Sequence, residues 1–138
     1  SAACIVAKSI NPDVKVFGVQ AEKAPAVYLS WKNKKMVETK SAETFAEGLA
    51  TRVPFKLTLS IINKLIDDFI LVSEDEMKRA ILTLLETTHQ LAEGAGAAST
   101  AAAFKIRDRL QGKKVALVLT GGNLTLPTLK SIFESNIF

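Results

Sequence analysis

The chain has 138 residues, 48% of them hydrophobic and 23% charged, with a formal net charge of +4. That balance suits one soluble globular domain with a substantial core, and no run approaches the roughly 18 to 20 apolar residues a membrane helix needs. The single cysteine, Cys4, excludes an internal disulfide framework, and without a basic-then-apolar leader the chain reads as cytoplasmic.

In chain order, Cys4 lies in an apolar stretch and reads as packing rather than chemistry. Residues 14–20 (VKVFGVQ) form the first near-continuous apolar run, the pattern of a parallel strand covered on both faces. The segment 21–56 is less regular. Within it "APAVYLSWKNKK" reads as a helix, and Lys32, Lys34 and Lys35 beside Trp31 are the one tight basic cluster. No motif or interleaved aromatics accompany those lysines, so they read as a solvated helix end and predict no nucleic-acid partner. "VETKSAETFAEGLATRVP" is polar and broken by Gly48 and Pro54, and a stretch of that kind usually binds something.

"LTLSIINKLIDD" puts Leu57, Ile61, Ile62, Leu65 and Ile66 on one helical face and runs into a second buried strand at 68–73 (DFILVS). Ser73 with Glu76 makes a capping box. Met77, Ala80, Ile81, Leu84, Leu85 and Thr88 then repeat at helical spacing, predicting a helix over about 74–92. Ala-rich "GAGAASTAAAFKIRDRL" predicts a helix packed closely on the sheet and ended by Gly112. A third strand is predicted at 114–120 (KVALVLT), and Leu124 to Pro127 reads as a helix start. Strands alternating with helices make the fold class α/β, a parallel sheet with helices on both faces. Ligands of such sheets gather at the carboxyl ends of the strands. No linker divides the chain, so 1–138 reads as a single domain.

Absences prune the chemistry. His89 is the only histidine and has no partners at metal-ligand spacing, so no metal site is predicted. The Walker loop and the G-x-S-x-G elbow are both missing. What remains are three glycine corners, "AEGLA" (46–50), "EGAGAA" (93–98) and "TGGN" (120–123). Each alone is weak evidence of a site and reads first as a plain turn, since glycine corners are common in α/β folds.

In order and spacing, "VKVFGVQAEKAPAVYLS", "ETFAEGLATRVP", "LIDDFILVSEDEM", "QLAEGAGAASTAA" and "GKKVALVLTGGN" resemble the second half of the catalytic domain of the pyridoxal-phosphate-dependent serine/threonine dehydratases. These are the threonine ammonia-lyases of fold-type II, kin to serine racemase. The resemblance covers Ser1 to about Asn123. It implies part of the large domain of a two-domain enzyme, with pyridoxal phosphate in the cleft and a small amino acid as substrate. L-threonine or L-serine would lose water and then ammonia to give a 2-oxo acid.

By the same resemblance Thr120 supplies the hydroxyl that meets the pyridine nitrogen. A neutral hydroxyl does not hold that nitrogen protonated, which tempers the electron sink. Gly121 and Gly122 give the ring clearance, Gly48 lines the cofactor with Glu47 standing where the family has Asp, and Glu93 lies near the ring. Metal-using members carry acidic ligands where this chain has Gln20 and Ala26, so no cation is expected there. The family's Schiff-base lysine and its phosphate loop fall before Ser1. This chain is therefore expected to hold no catalytic lysine and to be inactive alone, working as a homo-oligomer or with the rest of the catalytic domain. Lys105 in "AFKIRD" mimics the lysine motif but falls on an outer helix and reads as a decoy. The rival readings are a racemase on the same scaffold, a binding module that has lost the lysine, and an unrelated nucleotide-binding α/β protein using "TGGN".

Overall fold

The structure is a computed structural model and describes residues 1–135. Helix α1 (Ala2–Ile10) leads to strand β1 (Phe17–Ala21) and helix α2 (Ala26–Asn33). An irregular segment with a single 3₁₀ turn at Glu47–Leu49 follows, then α3 (Lys56–Leu65), β2 (Asp68–Val72), α4 (Glu74–Thr88), α5 (Gly94–Lys105), the short α6 (Arg107–Leu110) and α7 (Leu126–Glu134).

The two strands pair in parallel, Phe17 opposite Asp68 through Ala21 opposite Val72. Glu22 N–H donates to Val72 O at 2.9 Å and carries the pairing one residue past the strand end. Side chains of a strand alternate between faces, and here each face has its own helix. Phe69 meets the Tyr28 and Trp31 rings of α2 at 6.0 and 5.9 Å between centroids. Ile70 and Val72 join the core built with Met77, Ala80 and Ile81 of α4 and the alanines of α5. Helices therefore cover both faces. Gly18 is required for this closeness, because a Cβ there would meet Ile66 Cδ1 at 2.6 Å and the Phe69 ring at 2.8 Å.

Helix α4 begins with the expected capping box: Glu76 N–H donates to Ser73 Oγ at 3.2 Å, and Ser73 N–H donates to Glu76 Oε2 at 2.7 Å. It stops at Thr88, four residues before the predicted end, because His89 turns left-handed at φ 58°. Helix α3 matches the predicted amphipathic segment, but its buried residue is Leu59 while Leu57 is exposed. The long Ala-rich helix breaks at Ile106 into α5 and α6, and Gly112 ends the turn beyond at φ 69°.

The expected third strand at 114–120 is a correction. Among the described residues this segment joins no ladder, and Val115, Leu117, Val118 and Leu119 are all exposed. An apolar run becomes a strand only beside an edge that offers it backbone partners. Here its recorded anchor is Ser99, whose hydroxyl donates to Val118 O at 3.0 Å.

At the amino ends of the strands, the Asp67 carboxylate accepts from Lys8 at 2.7 Å, Lys15 at 3.0 Å and Val16 N–H at 2.8 Å. One aspartate thus joins α1, the approach to β1 and the approach to β2. These hydrogen bonds, Lys8 first and then the Val16 amide, hold its pKa well below the ordinary carboxylate range.

Candidate active-site cleft

The amino end of α5 is where the three glycine corners meet. Glu93 is the N-cap, and its side chain caps nothing. The first amides of α5 therefore remain as donors at the positive end of the helix. Glu93 N–H donates to Gly121 O at 3.2 Å, which draws the Thr120–Gly122 turn onto the helix.

Gly121 is left-handed at φ 76° and lies against the Glu93 carboxylate, so no side chain fits there. A Cβ on Gly96 would come within 2.6 Å of Gly121 O and closer still to Thr120 O. On the other side, a Cβ on Gly94 would meet the Phe45 ring at 2.8 Å and Ala46 Cβ at 2.9 Å, and one on Gly48 would meet Ala95 Cβ at 2.9 Å.

The four sequence-predicted site residues, Gly48, Glu93, Thr120 and Gly121, are thus brought together around one helix end, from corners up to 73 positions apart. A cleft of about 110 Å³ opens beside them. Glu47, Glu93, Ala95 and Asn123 line it along with Thr125 and Thr128. Of the four predicted residues only Glu93 lines it, and Gly48, Thr120 and Gly121 are exposed outside its lining.

Sequence reasoning missed three groups. Thr125 is the N-cap of α7, its hydroxyl accepting from Thr128 N–H at 3.3 Å, and the Thr-x-Pro-Thr spacing after Asn123 is the signal that could have found it. Asn123 lies in the same four-residue corner as Thr120. Glu74 is the third: its Oε2 accepts from Phe45 N–H at 3.0 Å across the floor of the neighbouring loop, and no sequence pattern announces that pairing.

The donor set can be tested against a pyridine-ring cofactor. The cleft is lined by the Thr125 and Thr128 hydroxyls, the Asn123 amide, the Glu47 and Glu93 carboxylates and small residues, with no lysine or arginine, so an anion there would meet negative charge. Such a set fits the neutral ring end of pyridoxal phosphate and not its phosphate. Lys105 lies elsewhere, its ammonium 3.1 Å from both Glu22 Oε1 and Glu76 Oε2. Burial pushes its pKa down, but the hydrogen bonds to Glu22 and Glu76 more than offset this and the net shift is upward. A lysine held protonated cannot attack a carbonyl.

At the position of the family's acidic metal ligands, the buried Gln20 spends its Oε1 on the Tyr28 amide at 3.0 Å. Ala26 begins α2. Among the described residues no group of three or more His, Cys, Asp and Glu is placed to hold a metal. Nor is any helix among them long and apolar enough to cross a membrane.

Comparison with known proteins identifies the family. The family model described as "Pyridoxal-phosphate dependent enzyme" matches residues 1–121. The chain is 37% identical over 137 residues to the L-threonine ammonia-lyase of Thermotoga maritima, matching 99% of this chain and 34% of that protein. Among solved structures, the processed threonine deaminase isoform 2 of Solanum lycopersicum superposes with a TM-score of 0.86 at 26% identity, over 92% of this chain and 36% of the other. The serine racemase of Dictyostelium discoideum gives 0.80 at 36% identity, over 90% and 40%. The chain therefore spans about a third of the length of that L-threonine ammonia-lyase.

Proposed function

The chain belongs to the family of pyridoxal-phosphate-dependent enzymes, and from that premise we propose that it forms the ring-end wall of the cofactor site in a threonine/serine dehydratase. The complete enzyme deaminates L-threonine or L-serine to a 2-oxo acid and ammonia. The observation that carries this reading is the convergence of Gly48, Glu93, Thr120 and Gly121 on the amino end of α5. The similarity to an L-threonine ammonia-lyase over 99% of the chain supports it.

When bound, pyridoxal phosphate supplies the electron sink that lets a proton leave the substrate's α-carbon. In this reading Thr120 offers its Oγ1 hydroxyl to the ring nitrogen and leaves that nitrogen without a full positive charge. Gly121 lets the Thr120 turn seat against α5, because any Cβ there would drive into the Glu93 carboxylate. Gly48 and Ala95 form the opposite wall, and the unpaired first amides of α5 face the cleft with partial positive charge. No residue of this chain takes the role of catalytic lysine. No cation is assigned to the Gln20 position, since the amide oxygen there is already committed to Tyr28.

Two finer assignments go with this reading. We place the protein in the cytoplasm, supported by its lone cysteine. We also read 1–138 as one structural unit that associates with itself or with further parts of the catalytic domain. The exposed Ile10, Phe55, Leu57 and Val118 support that association.

Hydrogen exchange with and without pyridoxal phosphate tests the site. Slowed exchange confined to 45–49, 93–97 and 120–123 is the expected result. Protection elsewhere, or a stoichiometric borohydride-trapped adduct on Lys105, refutes it. The racemase alternative rests on the 36% identity to a serine racemase structure. It predicts D-serine from L-serine in the active enzyme, where the dehydratase reading predicts a 2-oxo acid.

A further inference from the structure

The loop 42–50 carries Gly48 to the cleft, yet almost everything that shapes it is local. Thr44 N–H donates to Ala42 O, Ala46 N–H to Thr44 Oγ1, Glu47 N–H to Phe45 O and Leu49 N–H to Ala46 O. Such bonds curl the loop without placing it. Apolar contact of Phe45 and Ala46 with Gly94 presses it onto α5, but van der Waals contact has little directional preference. Among the described residues, the one recorded hydrogen bond from this loop to another element is Phe45 N–H to Glu74 Oε2 at 3.0 Å.

Glu74 is poorly explained by its own helix. The N-terminus of α4 is already satisfied by the Ser73–Glu76 capping box, and Asp75 and Glu76 already give the first turn its negative charge. Its second oxygen, Oε1, is buried and has no hydrogen-bond partner among the described residues, an arrangement that costs stability. A carboxylate kept in a locally unfavourable setting, with one oxygen committed to a distant amide, is accounted for by that amide.

We propose that Glu74 is a positioning residue of the cofactor site: through Phe45 N–H it sets the height of the Glu47–Gly48 wall against Gly94 and Ala95. The placement rests on the proposed site, whereas the tether itself does not. Its consequence is that the side chain beginning α4, directly beyond the carboxyl end of β2, governs the width of the cleft without touching its contents.

A crossed pair of substitutions separates this role from a helix-start role. Glu74→Asp keeps the charge at the first turn but withdraws the carboxylate by about 1.5 Å, one carbon–carbon bond, beyond hydrogen-bond reach of Phe45. Glu74→Gln loses the charge and keeps an acceptor at full length. In free chain, residue-resolved hydrogen exchange should show the Phe45 amide and its neighbours through Leu49 exchanging about tenfold faster in Glu74→Asp. Glu74→Gln should stay close to wild type, and the Ile81 amide should be unmoved in both. An unchanged Phe45 amide in Glu74→Asp, or loosening in Glu74→Gln alone, overturns the proposal. Repeating the measurement with pyridoxal phosphate isolates the other premise. Cofactor protection of 45–49 that weakens in Glu74→Asp supports the link to the site, while the tether pattern with no cofactor response in wild type refutes the cofactor site and leaves the tether standing.

Discussion

Replacing Gly96 with alanine sets two physical terms of opposite sign against each other. Gly96 is in the first turn of α5 and fully inside the helix, where alanine is intrinsically favoured over glycine by about 1 kcal/mol. The added Cβ, however, would sit 2.6 Å from Gly121 O and 3.1 Å from the Thr120 carbonyl carbon. Ordinary carbon–oxygen contacts lie at about 3.3 Å or more, and these neighbours are backbone, so no rotamer change relieves the overlap. Thr120 O lies closer still, so the turn must retreat by about 1 Å, which stretches the 3.2 Å bond from Glu93 N–H to Gly121 O past useful length. Overpacking of this kind costs about 1–3 kcal/mol and the lost hydrogen bond about 1 more, so the net effect is a destabilisation of about 1–3 kcal/mol. Urea unfolding should show a lower midpoint at unchanged slope. Gly112→Ala serves as the control: nothing lies within 4 Å of its Cβ, but φ is 69°, so only the left-handed strain of about 1–2 kcal/mol applies. A Gly96→Ala chain as stable as wild type, or more stable, would refute the close seating of the Thr120 turn on α5.

Met77 is fully buried in the core, and Met77→Ala should cost about 2–5 kcal/mol in the same unfolding experiment. Asp67 has its pKa depressed in the folded state, so its contribution is present above the unfolded value near pH 4 and fades as pH falls below it. Asp67→Asn should therefore lower stability at neutral pH and flatten the acid limb of a stability–pH curve, and parallel limbs in the two chains would contradict the network. Lys105 is about a third exposed, so Lys105→Met should change stability by no more than about 1 kcal/mol, read by the urea midpoint. Gly48→Ala and Gly94→Ala both push the 45–48 loop off α5. A double-mutant cycle should show the pair costing at least about 0.5 kcal/mol less than the sum, because a loop displaced once need not be displaced again.

Much of the fold was legible where hydrophobic spacing and capping chemistry agree. Ser73 and Glu76 announced the start of α4, and the stretch Leu124 to Pro127 announced that of α7, though not its cap. The end of α4 was not legible: apolar periodicity continues toward Leu91, but His89 adopts a left-handed cap that a non-glycine residue does not advertise. The segment 114–120 has the composition of a buried strand and no partner among the described residues, because composition reports what a segment needs and not what it finds. At the site, glycine positions and order were readable. The Glu74–Phe45 tether joins residues 29 positions apart through a backbone amide, and such a bond leaves no trace in side-chain pattern.

The same glycines look different once placed. Read along the chain, three small-residue corners suggest room for a ring; in the structure, most of that room is already taken by protein. Gly96 admits the Thr120 carbonyl, Gly94 admits Phe45 and Ala46, and Gly48 admits Ala95. None of these three has a left-handed backbone, so their requirement is proximity rather than conformation. Gly121 alone at the cleft combines positive φ with a neighbour, Glu93, that forbids a side chain. The site is therefore a joint in which two loops are clamped to one helix end by backbone contact. A cofactor ring placed there would inherit its position from that joint. Rigidity of this kind suits a cofactor that must keep one ring atom at a fixed hydroxyl while the substrate's bonds change. It also locates the adjustable part of the wall in the polar tether, since a close-packed backbone contact resists small displacement whereas a single hydrogen bond can lengthen.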